Sequence, residues 1–318
     1  MWENILTKVL RKNYLMLNIV AFIAAFICYF SVYGFRKPFT SATFTGLSVF
    51  GIDYKIALIF AQVIGYALSK FWGIKFISEL NPNKRGKWII ILILTSEISL
   101  IFFAIFPTPY NCFWMILNGF PLGFIWGLVF SYLEGRRTSE ILGSGMSISF
   151  IISSGAVKSV GRSFLSRGIS QWWMPAFVGC IFFLPLLIST LILESLPPPD
   201  EKDIAARSER VIMNRNDRIN FFKKFWPGFI LWILFYMLLT AFRDFRDNFA
   251  PELWVELGYE NTPGSLTISE LIVALVICIP IGLFMLIKKQ IVTLIAYHIK
   301  NINLSAKRMI LYLSSTKK

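Results

Sequence analysis

Eight stretches of the 318-residue chain are apolar for long enough to cross a bilayer, which takes about 20 predominantly apolar residues in helical form. They fall at about 16–36, 55–77, 87–106, 110–133, 141–165, 172–194, 225–243 and 266–287. Backbone groups in hydrocarbon must be satisfied within the structure itself, so only helices and closed barrels span it. These runs lack the alternation of barrel strands. The fold class is therefore all-α integral membrane, with about eight transmembrane helices. Composition agrees: 56% of residues are hydrophobic and 16% charged, against about 25% charged in soluble domains. The first run is expected to be a retained helix. It is long, continues into Tyr33-Gly34-Phe35-Arg36, and has no small-residue cleavage site.

The remaining charge is one-sided, with 32 Lys and Arg against 18 Asp and Glu, a net +14. In a soluble protein that excess would point to nucleic acid; in a membrane protein it marks cytoplasmic connections. Lys8, Arg11 and Lys12 precede the first span, Lys84, Arg85 and Lys87 follow the second, and Arg136 and Arg137 follow the fourth. Lys202, Arg207, Arg210, Arg215, Arg218, Lys223 and Lys224 lie between the sixth and seventh, and Lys288 and Lys289 follow the eighth. All fall on one side if spans alternate, so a cytoplasmic N-terminus is expected. The basic residues of the long connection alternate with Asp200, Glu201, Asp203, Glu209 and Asp217, which suits a solvated or membrane-surface helix and not nucleic acid.

The chain divides at 195–224, which opens with Leu196-Pro197-Pro198-Pro199-Asp200, a run that cannot continue a helix. This gives a six-helix half at 1–194, a charged cytoplasmic linker at 195–224, a partial second half at 225–287 and a basic tail at 288–318. Six spans, a charged linker and further spans resemble the major facilitator superfamily of carriers, whose two six-helix halves enclose a site near the bilayer midplane. Only two spans follow the linker where that layout calls for six, so an incomplete second half is expected.

Charges within spans cost roughly 2.5–3.5 kcal/mol each on insertion scales, so each needs a reason. Arg36 and Lys37 end the first run, where snorkelling to the interface and an interior role are both open. Lys70 lies inside the second run, near Tyr66, and Lys158 inside the fifth, among Ser and Gly. Arg243, Asp244, Arg246 and Asp247 follow the seventh run; either they pair with one another at a solvated helix end, or Arg243 faces the pathway. The first helices of two related halves face each other, and an arginine on each would offer two guanidinium forks to one planar anion. Glu97 and Glu270, mid-run in the third and eighth spans, are candidates for a proton relay or for charges paired with a basic neighbour. Asn118-Gly119-Phe120-Pro121-Leu122-Gly123 in the fourth span reads as a kinked packing segment.

Several short segments then resemble the organophosphate:phosphate antiporters, a branch of the same superfamily. Tyr33-Gly34-Phe35-Arg36-Lys37-Pro38-Phe39 is similar to the Tyr-x-x-Arg-Lys-x-Phe of their first helix, and Gly65-Tyr66 with Ser69-Lys70-Phe71 to a segment of their second. Ser78-Glu79-Leu80-Asn81-Pro82 resembles their next turn, and Arg243 with Asn248-Phe249-Ala250-Pro251 matches the spacing of a seventh-helix motif. The whole chain also resembles an uncharacterised bacterial family of predicted carriers. The resemblance implies phosphate binding by Arg36 and Arg243, with Lys37, Tyr66 and Lys70 lining the pathway. Two departures point to an anion without specifying a sugar or glycerol phosphate. The antiporters' fifth-helix histidine is replaced by Ser147, Ser149, Phe150, Ser153 and Ser154, and their acid–arginine turn by Glu79-Leu80.

Other chemistries lack their residues. One His and four Cys without CxxC spacing suggest neither a zinc site nor a disulfide frame. No phosphate loop or nucleophile elbow is present, so no enzyme and no cofactor are expected. The expectation is a secondary transporter of an organic anion in a bacterial cytoplasmic membrane, with lipid and a small anionic substrate as partners. The alternatives are a non-transporting sensor with a carrier fold and an inactive truncated carrier.

Overall fold

The computed structural model describes residues 5–205 and 215–258, together with 264, 267, 268 and 270–276. A short helix α1 (Ile5–Lys12) leads into α2 (Tyr14–Arg36). The Asn13 side chain caps α2, accepting from the Met16 N–H at 3.1 Å. Four further long helices follow the sequence runs closely: α3 (Tyr54–Glu79), α4 (Arg85–Ile105), α5 (Cys112–Phe130) and α6 (Ser139–Ser166). The sixth, α7 (Met174–Glu194), ends just before the proline run. After it come α8 (Glu201–Ala205), α9 (Arg215–Asn248) and α10 (Ala250–Glu256). Seven of these helices, α2 to α7 and α9, are long and apolar enough to cross a membrane, and the chain is a multi-pass, all-α membrane bundle.

Four details differ from the sequence reading. A two-residue hairpin, β1 (Ser48–Val49) and β2 (Ile52–Asp53), lies between α2 and α3. Its turn residues Phe50 and Gly51 both have positive φ, the requirement of a tight two-residue hairpin turn, and Asp53 then caps α3 through the Lys55 and Ile56 N–H groups. Second, the charged residues 215–224, read as the end of the linker, are continuous with the seventh span in one helix, α9. At 1.5 Å per residue a 34-residue helix runs about 51 Å, past the roughly 30 Å hydrocarbon core, so its polar N-terminal turns need not enter it. Third, the eighth span lies mostly outside the described residues, of which 270–276 are helical; the tail at 288–318 also lies outside. Fourth, the residues after 194 are tied back to earlier parts of the chain: Thr7 Oγ1 of α1 donates to the Ser195 carbonyl at 2.8 Å, and Arg136 Nη2, between α5 and α6, to that of Pro197 at 2.5 Å.

The six helices α2 to α7 pack in an ordered way. The principal pairs are α3 with α5, α2 with α6, α2 with α7, α4 with α5, α4 with α7 and α2 with α5. Exchanging α2 for α5, α3 for α6 and α4 for α7 maps this set onto itself. The pairing of the two triplets is thus alike among these principal contacts, as it is in folds built from three-helix repeats. The α3–α5 seam is the closest, because glycine brings backbone against backbone. A Cβ added at Gly65 would strike the Ile116 carbonyl, and one at Gly119 the Gln62 carbonyl. Gly119 and Gly123 are four residues apart, the small-residue spacing that lets membrane helices approach. The apolar stripe of α7 at Phe177, Ile181, Leu184, Ile188 and Leu191 stays exposed, as lipid contact requires.

The chain forms two units, Met1–Leu271 and Ile272–Lys318. All the geometry below belongs to the first; in the second, the described residues 272–276 are helical.

Candidate anion site

The end of α2 delivers two adjacent cations to different partners. Arg36 spreads its guanidinium over the Tyr66 ring of α3, 4.4 Å from the centroid, with Tyr33 one turn back on α2 at 5.8 Å. Lys70 sits 4.4 Å from the same Tyr66 ring and donates to the Gly123 carbonyl at 2.9 Å. Two cations thus lie within reach of one aromatic ring, whose negative faces attract them.

Lys37 turns instead to the end of α9. Its Nζ lies 2.5 Å from Asp247 Oδ2 and donates to Asn248 Oδ1 at 2.7 Å. Lys158 of α6 reaches the other carboxylate oxygen of Asp247 at 2.7 Å and the Asp247 carbonyl at 2.5 Å, and Ser154 donates to it as well. The two lysine side chains are 7% and 1% exposed, so Asp247 is a buried counterion shared by two cations. The self-paired, exposed helix end is met by Arg243 and Asp244, 3.0 Å apart, but not by Asp247, nor by Arg246, which pairs with Glu270. A charge that is buried needs a partner, and two lysines in the six-helix bundle supply it.

Between these groups lies a cavity of about 60 Å³. Four cations line it, Arg36, Lys37, Arg243 and Arg246, against three acids, Asp244, Asp247 and Glu270. Lys158, bonded to Asp247 from α6, adds a further positive charge at its edge. A water needs about 10–15 Å³ of such space, so the volume corresponds to roughly four to six waters. It admits a small oxyanion or the phosphoryl end of a larger one. The polar donors that face it can bind an anion without any covalent step.

Of the residues singled out from sequence, Arg36, Lys37 and Arg243 line one cavity, and Lys158 lies next to it. Tyr66 and Lys70 are joined to it through Arg36. Glu270 also lines it and pairs with Arg246 at 3.1 Å. Glu97 does not: it lies on α4 in the seam with α7, where Cys180 donates to its Oε1 at 3.3 Å. Sequence reasoning missed the counterion role of Asp247 and the place of Ser154. It also missed an uncharged buried hub behind the site. Gln62 Nε2 donates to the Arg36 carbonyl at 2.9 Å and to Asn118 Oδ1 at 2.7 Å. Asn118 Nδ2 in turn donates to the Phe35 carbonyl at 3.1 Å and to Ser96 Oγ at 2.7 Å. The signal was available, since an Asn and a Gln in apolar runs must find partners across helices.

A multi-pass helical bundle with a half-open, net-cationic cavity between its first long helix and the end of α9 defines the class of protein. The chain belongs to a family of unknown function (DUF5690), whose model matches residues 38–316. No curated protein and no solved structure matches it.

Proposed function

We propose that this protein is a secondary carrier of a small anion of the phosphate class, built on a major facilitator-like fold and related to the organophosphate:phosphate antiporters. The observation that carries the reading is the convergence of Arg36 from α2 and Arg243 from α9 on one cavity. Arginine presents a planar fork of donors suited to phosphate, and Arg36 is held in place by the Tyr66 ring. The like pairing of the two helix triplets within α2 to α7 supports the carrier fold, and rocking of helix bundles about a central site supplies alternating access. In this reading the membrane is the bacterial cytoplasmic membrane, the N-terminus is cytoplasmic, and no covalent chemistry takes place. The size of the cavity favours recognition of the phosphoryl group over recognition of an attached sugar.

Counterflow of labelled inorganic phosphate in proteoliposomes tests it. Uptake by the wild type that is lost in Arg36→Ala and in Arg243→Ala supports the carrier. Phosphate binding without flux favours a second reading, a membrane sensor. One observation speaks for that alternative: Asp203, in the segment after α7, accepts from the Arg137 N–H and Nε, each at 3.1 Å, and so fastens the connecting segment to the bundle. No binding and no flux sinks both.

A further inference from the structure

We propose that Glu97 is a membrane-embedded proton-binding site, and that its proton is sensed at the anion cavity through the Ser96–Asn118–Gln62 hub. The proton site stands on its own geometry; its coupling to the anion rests on the carrier reading.

Glu97 lies near the middle of α4 and is more than nine-tenths buried. Among the described residues its Oε2 has no hydrogen-bond partner, and it forms no ion pair. Its surroundings contain nothing to hold a charge. From α7 the titratable group facing it is the Cys180 thiol, which donates to Oε1. Both the Glu97 carboxyl and the Phe35 ring of α2 crowd the place where Gly179 lacks a Cβ. From α5 the facing polar group is the uncharged Asn118 at the neighbouring Ser96. The cation that ends α2, Arg36, lies over the Tyr66 ring of α3. A carboxylate there would be an unpaired charge in a low-dielectric seam, which proteins avoid by neutralising the group. A proton on Oε2 removes the charge and leaves Oε1 free to accept from the thiol.

Cys180 is exposed and lies among the exposed residues Phe177, Ile181 and Leu184 of α7, so the carboxyl is one side chain deep from the bundle surface. In the other direction, Ser96 precedes Glu97 in α4. It accepts from Asn118, which also holds the Phe35 carbonyl, and Gln62 links Asn118 to the Arg36 carbonyl. Two of these bonds end on the backbone that carries the cavity arginine. Loss of the proton draws donors toward the new charge, and Asn118 Nδ2, bonded at the neighbouring Ser96, is the one whose shift loosens the Phe35 carbonyl and, through Gln62, the Arg36 carbonyl; a protonated Glu97 leaves the hub, and so the cavity arginine, in place.

The test uses the full chain in phospholipid vesicles, with infrared spectroscopy from mildly acidic to alkaline pH and inorganic phosphate as the binding probe. The wild type is expected to show the carbonyl stretch of a neutral carboxylic acid at neutral pH that Glu97→Gln lacks. Cys180→Ser, with a stronger hydroxyl donor on Oε1, should move that band to lower frequency, and serves if Glu97→Gln does not fold. Phosphate affinity of the wild type should weaken about tenfold across the titration of the band, a typical coupling. Glu97→Gln, measured at the same pH so that the phosphate's own ionisation cancels, should show no such loss. Ser96→Ala should keep the band and lose the linkage. Absence of a band assignable to Glu97 overturns the proton site. A band that titrates while wild type and Glu97→Gln bind phosphate alike overturns the coupling. Phosphate that binds to none of the variants while the band persists refutes the carrier reading and the coupling together, and leaves the proton site established.

Discussion

Replacing Asp247 by Asn keeps the side-chain shape and removes the one negative charge that Lys37 and Lys158 share. The two ammonium groups stand 2.5 and 2.7 Å from separate oxygens of that carboxylate. At an effective dielectric of about 20, each such pair is worth roughly 6 kcal/mol before desolvation is counted. Most of that is offset by the cost of burying the ions, and removal of one partner from a buried ion pair typically costs about 3–5 kcal/mol. Asn retains an oxygen for one lysine or for Ser154, so we expect a loss near the lower end, about 3 kcal/mol. The substitution also leaves two buried cations facing each other. A second change, Lys158→Met, removes one of them and should recover part of the loss. The assay is a double-mutant cycle in unfolding by SDS titration, read by tryptophan fluorescence. The expected coupling between the two positions is about 1–3 kcal/mol. If the two changes prove additive within about 0.5 kcal/mol, the range found for independent sites, the shared-counterion argument is wrong.

Gly119→Leu should drive α5 away from α3, because even a Cβ there meets the Gln62 carbonyl. A destabilisation of at least about 1–3 kcal/mol, the usual cost of overpacking, is expected in the same unfolding assay, while Gly168→Ala, at a position with open space but positive φ, should disturb only its local turn. Arg36→Lys preserves charge but not the planar fork over Tyr66, so phosphate binding measured by calorimetry should fall by tenfold or more; unchanged affinity would rule out the geometric role of the guanidinium. Asp203 lies outside the spans. Burial pushes its pKa up, but the N–H and guanidinium of Arg137 and the N–H of Asp200 outweigh that, and the net direction is down. A carboxyl lowered in the folded state stabilises it above the ordinary carboxylate pKa, and the benefit is lost as pH falls through the lowered value. Limited proteolysis after α7 should therefore stay slow at neutral pH and accelerate only under strong acidification, whereas Asp203→Asn should be cut readily at neutral pH.

The six long helices from α2 to α7 were legible because apolar length and bounding residues act locally: α2 ends at Arg36 and α7 at Glu194, where the first and sixth apolar runs end. Arg36 and Arg243 end the first and seventh apolar runs, and both line one cavity. What could not be read were partners set by helix packing. Asp247 is separated from Lys158 by 89 residues, and next to Arg243, Asp244 and Arg246 it looks like one member of a surface cluster. Charge balance would have narrowed the choice. Lys37 and Lys158 lie in or at the end of apolar runs, so at least one acid had to reach them. The acids near the end of the seventh run are few, and in a helix Asp244 and Asp247 stand three residues apart, on adjoining turns of one face. The structure divides them by function: Asp244 keeps Arg243 company at the half-exposed mouth, and Asp247 goes inward to the lysines. The Glu97 carboxyl is the opposite case, an acid without a cation. The same accounting, which demands an acid for each buried lysine, demands a proton for a buried glutamate that has no base to pair with.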